Sequence, residues 1–411
     1  MKSWISYAPN CDFSIYNMPF GVMRHEETPT LVSAIGPYAI NLFELSKLEL
    51  IEGPPELYRS KSLNAFINQG KAFTNQVRQS LQTLFSDSNS SLAKQKTWQD
   101  RVLMPLRPET MLLPVEIGDY TDFYSSVDHA TNIGKMIRDP QNALLPNWKH
   151  LPVAYHGRSS SIGVSGQRFH RPKGQKKLPD REFPVFGPTR ALDIELEMAF
   201  IIGKSSSMGT AISTSEADAY IFGMTLFNDW SARDIQTWEY VPLGPFLAKN
   251  FASTMSPWVI TLEALEPFRT KGYEQIPEVL PYLKYTGNRN IDIQLEVFIR
   301  PEGQSKSKIC SSNYKYMYWT MEQQLAHHTV NGCPVRVGDV MASGTISGPD
   351  PSSFGSLMEL SWKGTKPIPL SDGISRTYIE DYDTVTLTGF CQSGDCRIGF
   401  GECTAQVLPA L

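Results

Sequence analysis

Two hydrophobic rhythms follow one another along the chain. The first sixty residues hold short apolar runs: Gly21-Val22-Met23, Thr30-Leu31-Val32 and Tyr38-Ala39-Ile40-Asn41-Leu42-Phe43. Glu26-Glu27 and Gly36-Pro37 separate them, which predicts strands joined by tight turns. After Gly53-Pro54-Pro55 the period changes. Leu63, Phe66, Ile67, Phe73, Val77, Leu81 and Leu84 recur at spacings of three, four or their multiples, which predicts a helix with one apolar face. The polar stretch Ser86-Asp87-Ser88-Asn89-Ser90-Ser91 ends it as a solvated connection. A domain boundary is expected between that stretch and Pro114, giving a first unit over residues 1–115 and a larger second unit over 116–411.

The second unit reads as strand-rich. Residues 191–202 form the clearest strand, and 220–227, 258–262, 291–299, 335–342 and 384–390 are others. A helix is expected around Thr320 to His328. Strands and helices do not alternate, so a doubly wound sheet or an eight-fold barrel is excluded. A mainly β, mixed α+β architecture with mostly antiparallel sheets is expected.

Composition narrows the function. The 411 residues allow two or three domains at about 150 residues each. Hydrophobic residues at 41% against charged residues at 19% are enough for a sizeable core and exclude global disorder. A net charge of -4 makes the chain a poor partner for nucleic acid. No apolar stretch is long enough to cross a membrane. Pro9, Asn10 and Asp12 interrupt the opening residues, so no secretory signal is expected. The six cysteines contain no CxxC pair and do not resemble a disulfide framework; reduced thiols in a cytoplasmic protein are the expectation.

Candidate chemistry begins on the clearest strand. Period-two reading puts Leu192, Ile194, Leu196 and Met198 on one face and Asp193, Glu195 and Glu197 on the other. Three carboxylates about 7 Å apart repel one another unless water, basic side chains or a cation compensates. On this strand alone, a solvated sheet face accounts for them. Two further acids in dense polar surroundings change the balance: Asp229 closes another apolar run, and Asp122 lies within Asp119-Tyr120-Thr121-Asp122-Phe123-Tyr124. Carboxylates from several segments, without Cys/His ligand spacing, suit a hard cation such as Mg²⁺ or Ca²⁺ better than zinc.

Ser125 or Ser126 is placed to cap a helix carrying Ile133, Met136 and Ile137 on its apolar side and His129 near its start. The positive end of a helix favours a neutral imidazole, the form a general base needs. On position alone an ordinary partly buried histidine is the better explanation, and with seven histidines in the chain position cannot select one. His327 and His328 are adjacent, point apart, and read as structural or partly exposed. The run Asn228-Asp229-Trp230-Ser231-Ala232-Arg233-Asp234-Ile235-Gln236-Thr237-Trp238-Glu239-Tyr240, with Lys249 following, mixes donors, acids and aromatics as a site lining does. By composition alone, Gly344-Thr345-Ile346-Ser347-Gly348 and Glu359 are a turn and a surface acid.

Taken in order, the runs 119–126 with 129–132, 192–197, 228–236, 238–246, 256–258 and 342–348 resemble the fumarylacetoacetate hydrolase family nearly end to end. The resemblance implies a small amino-terminal SH3-like β-barrel and a large carboxy-terminal β-roll, assembled as a homodimer. It implies hydrolysis of the carbon–carbon bond of 4-fumarylacetoacetate to fumarate and acetoacetate, the last step of tyrosine and phenylalanine breakdown. Carried to this chain, it assigns Asp122, Glu195, Glu197 and Asp229 to Mg²⁺ or Ca²⁺, with Lys249 and Ser253 beside the ion. His129 corresponds to the base that activates water and Glu359 to its orienting acid. Arg233, Gln236 and Lys249 correspond to donors facing oxyanion charge. Tyr124, Arg138, Tyr155, Gln236, Tyr240 and Thr345 correspond to substrate contacts, with Arg138 offering a planar fork to a carboxylate. The chain departs from the family at Phe251-Ala252-Ser253, where Phe-Gly-Thr is usual; Ser253 keeps the hydroxyl. The alternatives are an acylpyruvate hydrolase or 2-oxo-acid decarboxylase on the same fold, or a non-catalytic metal-binding protein. The amino-terminal match and the presence of both His129 and Glu359 weigh against them.

Overall fold

The computed structural model describes residues 1–411. Five strands near the amino terminus form an antiparallel sheet in the order Leu103–Pro105, Tyr38–Asn41, Thr28–Ile35, Gly21–His25, Met111–Leu112. The predicted single helix is two. Asn64–Ile67 and Lys71–Ser86 are separated by Gly70, whose φ of +92° breaks the α-helical path. The apolar face of the second segment is retained, with Val77, Leu81, Leu84 and Phe85 buried.

The remainder is built on two sheets. One is mixed, in the order Ala154–His156, Tyr120–Phe123, Val340–Ala342, Leu196–Ile202, Ile221–Asp229, Ser253–Met255, Ile162–Val164, with Ile260–Thr261 also paired to Ile221–Asp229. The other runs Ser307–Asn313, Gln294–Arg300, Thr384–Ser393, Cys396–Leu408, Gln167–His170. Strand makes up 29% and helix 25% of the chain, which is α+β with a strand-led core, as expected.

Strand Leu196–Ile202 explains the layering. Leu196, Met198, Phe200 and Ile202 join the core cluster shared with Leu295, Val297, Val385, Leu387 and Phe400 of the second sheet. Ala199 and Ile201 join a different cluster, with Phe20, Leu31, Phe66, Val77 and Leu81 of the amino-terminal region. The strand is therefore buried on both faces, and every one of its residues is buried. Each large apolar side chain so buried contributes about 1.5–3 kcal/mol, which locks the first sheet between its neighbours. Phe20 and Val259 form a backbone bridge across the same junction.

Several predicted strands are shorter than their apolar runs. Residues 335–339 are irregular and only Val340–Ala342 pairs; 291–299 is interrupted after Ile291; Tyr220 ends a helical turn rather than starting a strand. The helix Met321–Thr329 forms with Thr320 in a capping box with Gln323. All six cysteines are free. No helix is long and apolar enough to cross a membrane.

Candidate active site

Strand register brings the acids together. In the mixed sheet Asp122 is paired with Tyr155 on one side and Ala342 on the other, Ala342 with Ala199, Glu197 with Phe227, and Asp229 with Ser253. Five of six consecutive strands therefore present Tyr155, Asp122, Glu197, Asp229 and Ser253 near one end of the sheet. Glu195 lies just before strand Leu196–Ile202 in an isolated bridge with Ser356.

Ligand atoms of Asp122, Glu195 and Glu197 all lie within 4.8 Å of one another, and all three residues are buried. Two of their oxygens, Asp122 Oδ1 and Glu197 Oε1, are buried without any hydrogen-bond partner. Buried carboxylate oxygens are almost always satisfied, so an unanswered pair inside a cluster of three acids fits a hard cation. Burial raises the Asp122 carboxyl above the usual range, and the charges of Asp229 and Glu195 reinforce this over the opposing Lys249. Glu197 is raised by burial and by Asp122, Glu195 and Asp229. Glu195 goes the other way. Burial works against its charge, but the Lys249 ammonium and Arg233 guanidinium outweigh it and hold the carboxyl far below normal. Arg233 Nη1 lies 2.9 Å from Glu195 Oε1, and Lys249 Nζ donates to Glu195 Oε2.

Asp229 sits beside this cluster with its oxygens already engaged. It accepts from Lys249 Nζ at 2.8 Å, Tyr155 Oη at 2.9 Å and Ser253 Oγ at 2.8 Å. Ser253 thus holds a carboxylate, and Ala252 is absorbed into the hydrophobic core. Asp193 is a correction to the three-acid face. Regular pairing stops at Ile194, and Asp193 pairs with Ser231 in a separate two-stranded ribbon. Its carboxylate accepts from Arg233 Nε at 2.8 Å, Leu357 N at 2.7 Å and Met358 N at 3.0 Å, away from the cluster.

His129 lies two residues inside helix Val127–Ile137, which Ser126 caps by accepting from the His129 backbone N–H. Its Nδ1 is 2.7 Å from Glu359 Oε2. Glu359 also accepts from Asn132 Nδ2 at 2.9 Å, Ser347 Oγ at 2.9 Å and Ser356 Oγ at 2.8 Å. The surface acid read from composition is thus 1% exposed. Burial opposes its charge, yet His129 and these donors hold the carboxyl below its ordinary range. With Nδ1–H directed at the carboxylate, Nε2 is the nitrogen with the lone pair. Tyr124 meets the imidazole edge-on, with ring centroids 5.2 Å apart.

A cavity of about 700 Å³ connects these parts, lined by Asp122, Tyr124, His129, Arg138, Tyr155, Glu195, Arg233, Gln236, Tyr240, Lys249 and Thr345 among others. Arg233 Nη2 and Thr345 Oγ1 are buried without partners, as are the two carboxylate oxygens. Gln236 Oε1 accepts from Arg233 Nη1 at 3.2 Å, which leaves the Gln236 amide as a donor. Two expected substrate contacts are partly engaged already. Tyr155 Oη supports Asp229, and Arg138 turns Nε and Nη2 to the Ala143 carbonyl at 3.2 and 2.9 Å, so the full fork is not open. His327 and His328 are half-buried and lie off the cavity, the first on Tyr282 Oη and the second on Thr121 Oγ1, each at 3.0 Å. Pattern reading gave no role to Asn132, Ser347 or Ser356, and it placed Asp193 on the acidic face rather than against Arg233.

Acids, a histidine–carboxylate pair and free donors around one cavity, on a mixed sheet backed by a second, mostly antiparallel one, define a metal-competent hydrolase-type site. A solved fumarylacetoacetate hydrolase from Exiguobacterium antarcticum shares the fold, with TM-score 0.54 and 17% identity over 95% of this chain and 99% of that one. Two family models match, "Fumarylacetoacetase N-terminal" over residues 16–114 and "Fumarylacetoacetate (FAA) hydrolase C-terminal" over residues 120–408. The chain therefore belongs to the fumarylacetoacetate hydrolase family. It is 50% identical to a fumarylacetoacetase of Homo sapiens over 417 residues, covering 100% of this chain and 99% of that one. A Bos taurus fumarylacetoacetase is 49% identical over 415 residues, with 100% and 99% covered.

Proposed function

We propose that this chain hydrolyses the carbon–carbon bond of 4-fumarylacetoacetate to fumarate and acetoacetate, closing tyrosine and phenylalanine breakdown. The observation that carries the reading is that His129, held by Glu359, and the acids Asp122 and Glu195 line the same cavity. The full-length likeness to fumarylacetoacetases, amino-terminal region included, disfavours a related keto-acid enzyme.

The chemistry follows from the residues. His129 Nε2 takes a proton from water, and Glu359 steadies the resulting imidazolium. The hydroxyl adds to the fumaryl carbonyl carbon, and negative charge develops on its oxygen. Arg233 Nη2, the Gln236 amide and Lys249 are the available donors for that charge. One such preorganised donor is worth about 3–4 kcal/mol. The bond to the methylene carbon then breaks. Its electron pair leaves as the acetoacetate enolate, and His129 returns the proton to that carbon. Asp122, Glu195 and Glu197, with Asp229 alongside, would hold a divalent cation, which would supply Lewis-acid stabilisation of the developing negative charge. Tyr124, Arg138, Tyr155, Tyr240 and Thr345 surround the remaining substrate, with Arg138 facing a carboxylate.

Mg²⁺ or Ca²⁺ is the proposed ion, because every candidate ligand is an oxygen. The proposed division is a 1–115 unit, carrying the small SH3-like barrel, and a 116–411 catalytic β-roll. A homodimer is proposed on the exposed apolar side chains of the segment after helix Arg233–Glu239, where Val241, Leu243 and Phe246 are 66%, 97% and 67% exposed. Six free thiols favour a cytoplasmic location. The test is loss of fumarylacetoacetate ultraviolet absorbance with stoichiometric appearance of fumarate, run beside a panel of other keto acids. Turnover confined to another keto acid contradicts the reading.

A further inference from the structure

Four cationic side chains line the active-site cavity: Arg138, Arg233, Lys249 and Lys363. Two are already neutralised. Arg233 is paired with Asp193 and Glu195, and Lys249 with Glu195 and Asp229. The Arg138 side chain hydrogen-bonds only to the Ala143 carbonyl, and Lys363 makes no ion pair. The cavity therefore holds two uncommitted positive charges.

The substrate, on the reading above, has a matching number of negative ones. The products carry three carboxylates, two on fumarate and one on acetoacetate. Hydrolysis creates one of these from the ketone carbonyl, so the intact substrate carries two. They sit at opposite ends of the molecule, and one cation cannot serve both.

The backbone around Lys363 is unusual. Helix Leu357–Leu360, which carries Glu359, is followed by Trp362, Lys363 and Gly364 with φ of +48°, +59° and +79°. A helix stop ordinarily needs one left-handed residue, usually glycine. Two consecutive non-glycine residues in that region cost about 1 kcal/mol or more each, and such strain collects at functional sites. Here it is fixed by the Lys363 N–H donating to the Met358 carbonyl at 2.8 Å. Lys363 is exposed overall and still lines the cavity, so it stands at the open edge.

We propose that Lys363 is a specificity-determining residue whose ammonium binds the substrate carboxylate that Arg138 does not take. This rests on the proposed reaction. It assigns the charge at the cavity mouth a role in selecting doubly charged substrates over singly charged ones.

The test uses the full-length enzyme with its cation and three substrates: fumarylacetoacetate and its two monomethyl esters, each lacking one charge. Lys363→Met should lower kcat/KM for the diacid by about ten- to hundredfold, the range for a hydrogen bond between charged groups. On one ester that penalty should collapse to about twofold, and on the other it should persist. Arg138→Gln should show the opposite pattern across the esters. Lys363→Arg should recover most of the loss, which separates the charge from the backbone turn. Equal losses on all three substrates, or no loss on the diacid, overturn the assignment. A wild-type enzyme that fails to turn over the diacid instead overturns the proposed reaction beneath it.

Discussion

The two walls of the cavity differ in how completely the protein satisfies them. On one, Glu359 receives four hydrogen bonds, from His129, Asn132, Ser347 and Ser356. On the other, Asp122 Oδ1 and Glu197 Oε1 are buried with no partner. The histidine–carboxylate pair is assembled by the chain itself. The acid cluster is left incomplete, in a form that a cation fits. A buried polar group without a partner costs about 1–3 kcal/mol, so this incompleteness is tolerated where another component is bound. The contrast predicts that the two walls fail independently.

The largest effect is expected on the complete wall. His129→Ala should reduce kcat by about 10²–10⁴-fold, the range for loss of a positioned acid–base group, while calorimetric cation affinity stays within about twofold. A matching fall in cation affinity would merge the two walls into one unit. Next comes the incomplete wall. Glu197→Gln should weaken cation binding by about 100-fold, at least the upper end of what changes around a metal ligand cost, without displacing the His129–Glu359 pair. Unchanged calorimetric affinity in that variant would remove Glu197 from the ion site.

A subtler consequence concerns protons. The Asp122 and Glu197 carboxyls are raised above ordinary values of 3.8 and 4.5, first by burial and then by neighbouring carboxylates. In the metal-free chain their contribution to stability is therefore full below those ordinary values. It is lost as pH rises through the raised folded values. A cation needs both groups ionised, so it binds with proton release and more tightly at higher pH. The rise in Tm on adding Mg²⁺ or Ca²⁺ should be larger at about pH 8 than at about pH 5. Equal shifts at both would show that these acids are already ionised without metal. The smallest effect is expected from Asn132→Ala. It removes one of four donors to Glu359 and should lower kcat by about tenfold, with cation binding unaffected.

What the sequence reveals divides along similar lines. Period-two alternation finds the strand that carries Glu197, with Glu195 immediately before it, because alternating apolar positions are a strong local signal. It also places Asp193 with them. That fails at Ile194, where the chain leaves one sheet for another, and no local pattern encodes the change. The helix face from Leu63 to Leu84 is real in its apolar positions and wrong in its continuity. Spacing reports burial and is blind to the break at Gly70. Ser126 and His129 at a helix start follow from capping chemistry and stand as expected. Glu359 cannot be found this way. It lies 230 residues from His129, and only the folded chain brings its carboxylate to the imidazole. The family resemblance supplies that pairing; composition suggests a surface acid.

The central claim is that a cation completing the Asp122, Glu195 and Glu197 cluster is required for water, activated by His129, to cleave the substrate. The most direct measurement is the rate of fumarylacetoacetate loss by chelator-treated protein as Mg²⁺ or Ca²⁺ is titrated back. The account predicts negligible turnover in chelator and full recovery that saturates as the site fills. Turnover at the full rate with the chelator in excess would contradict it.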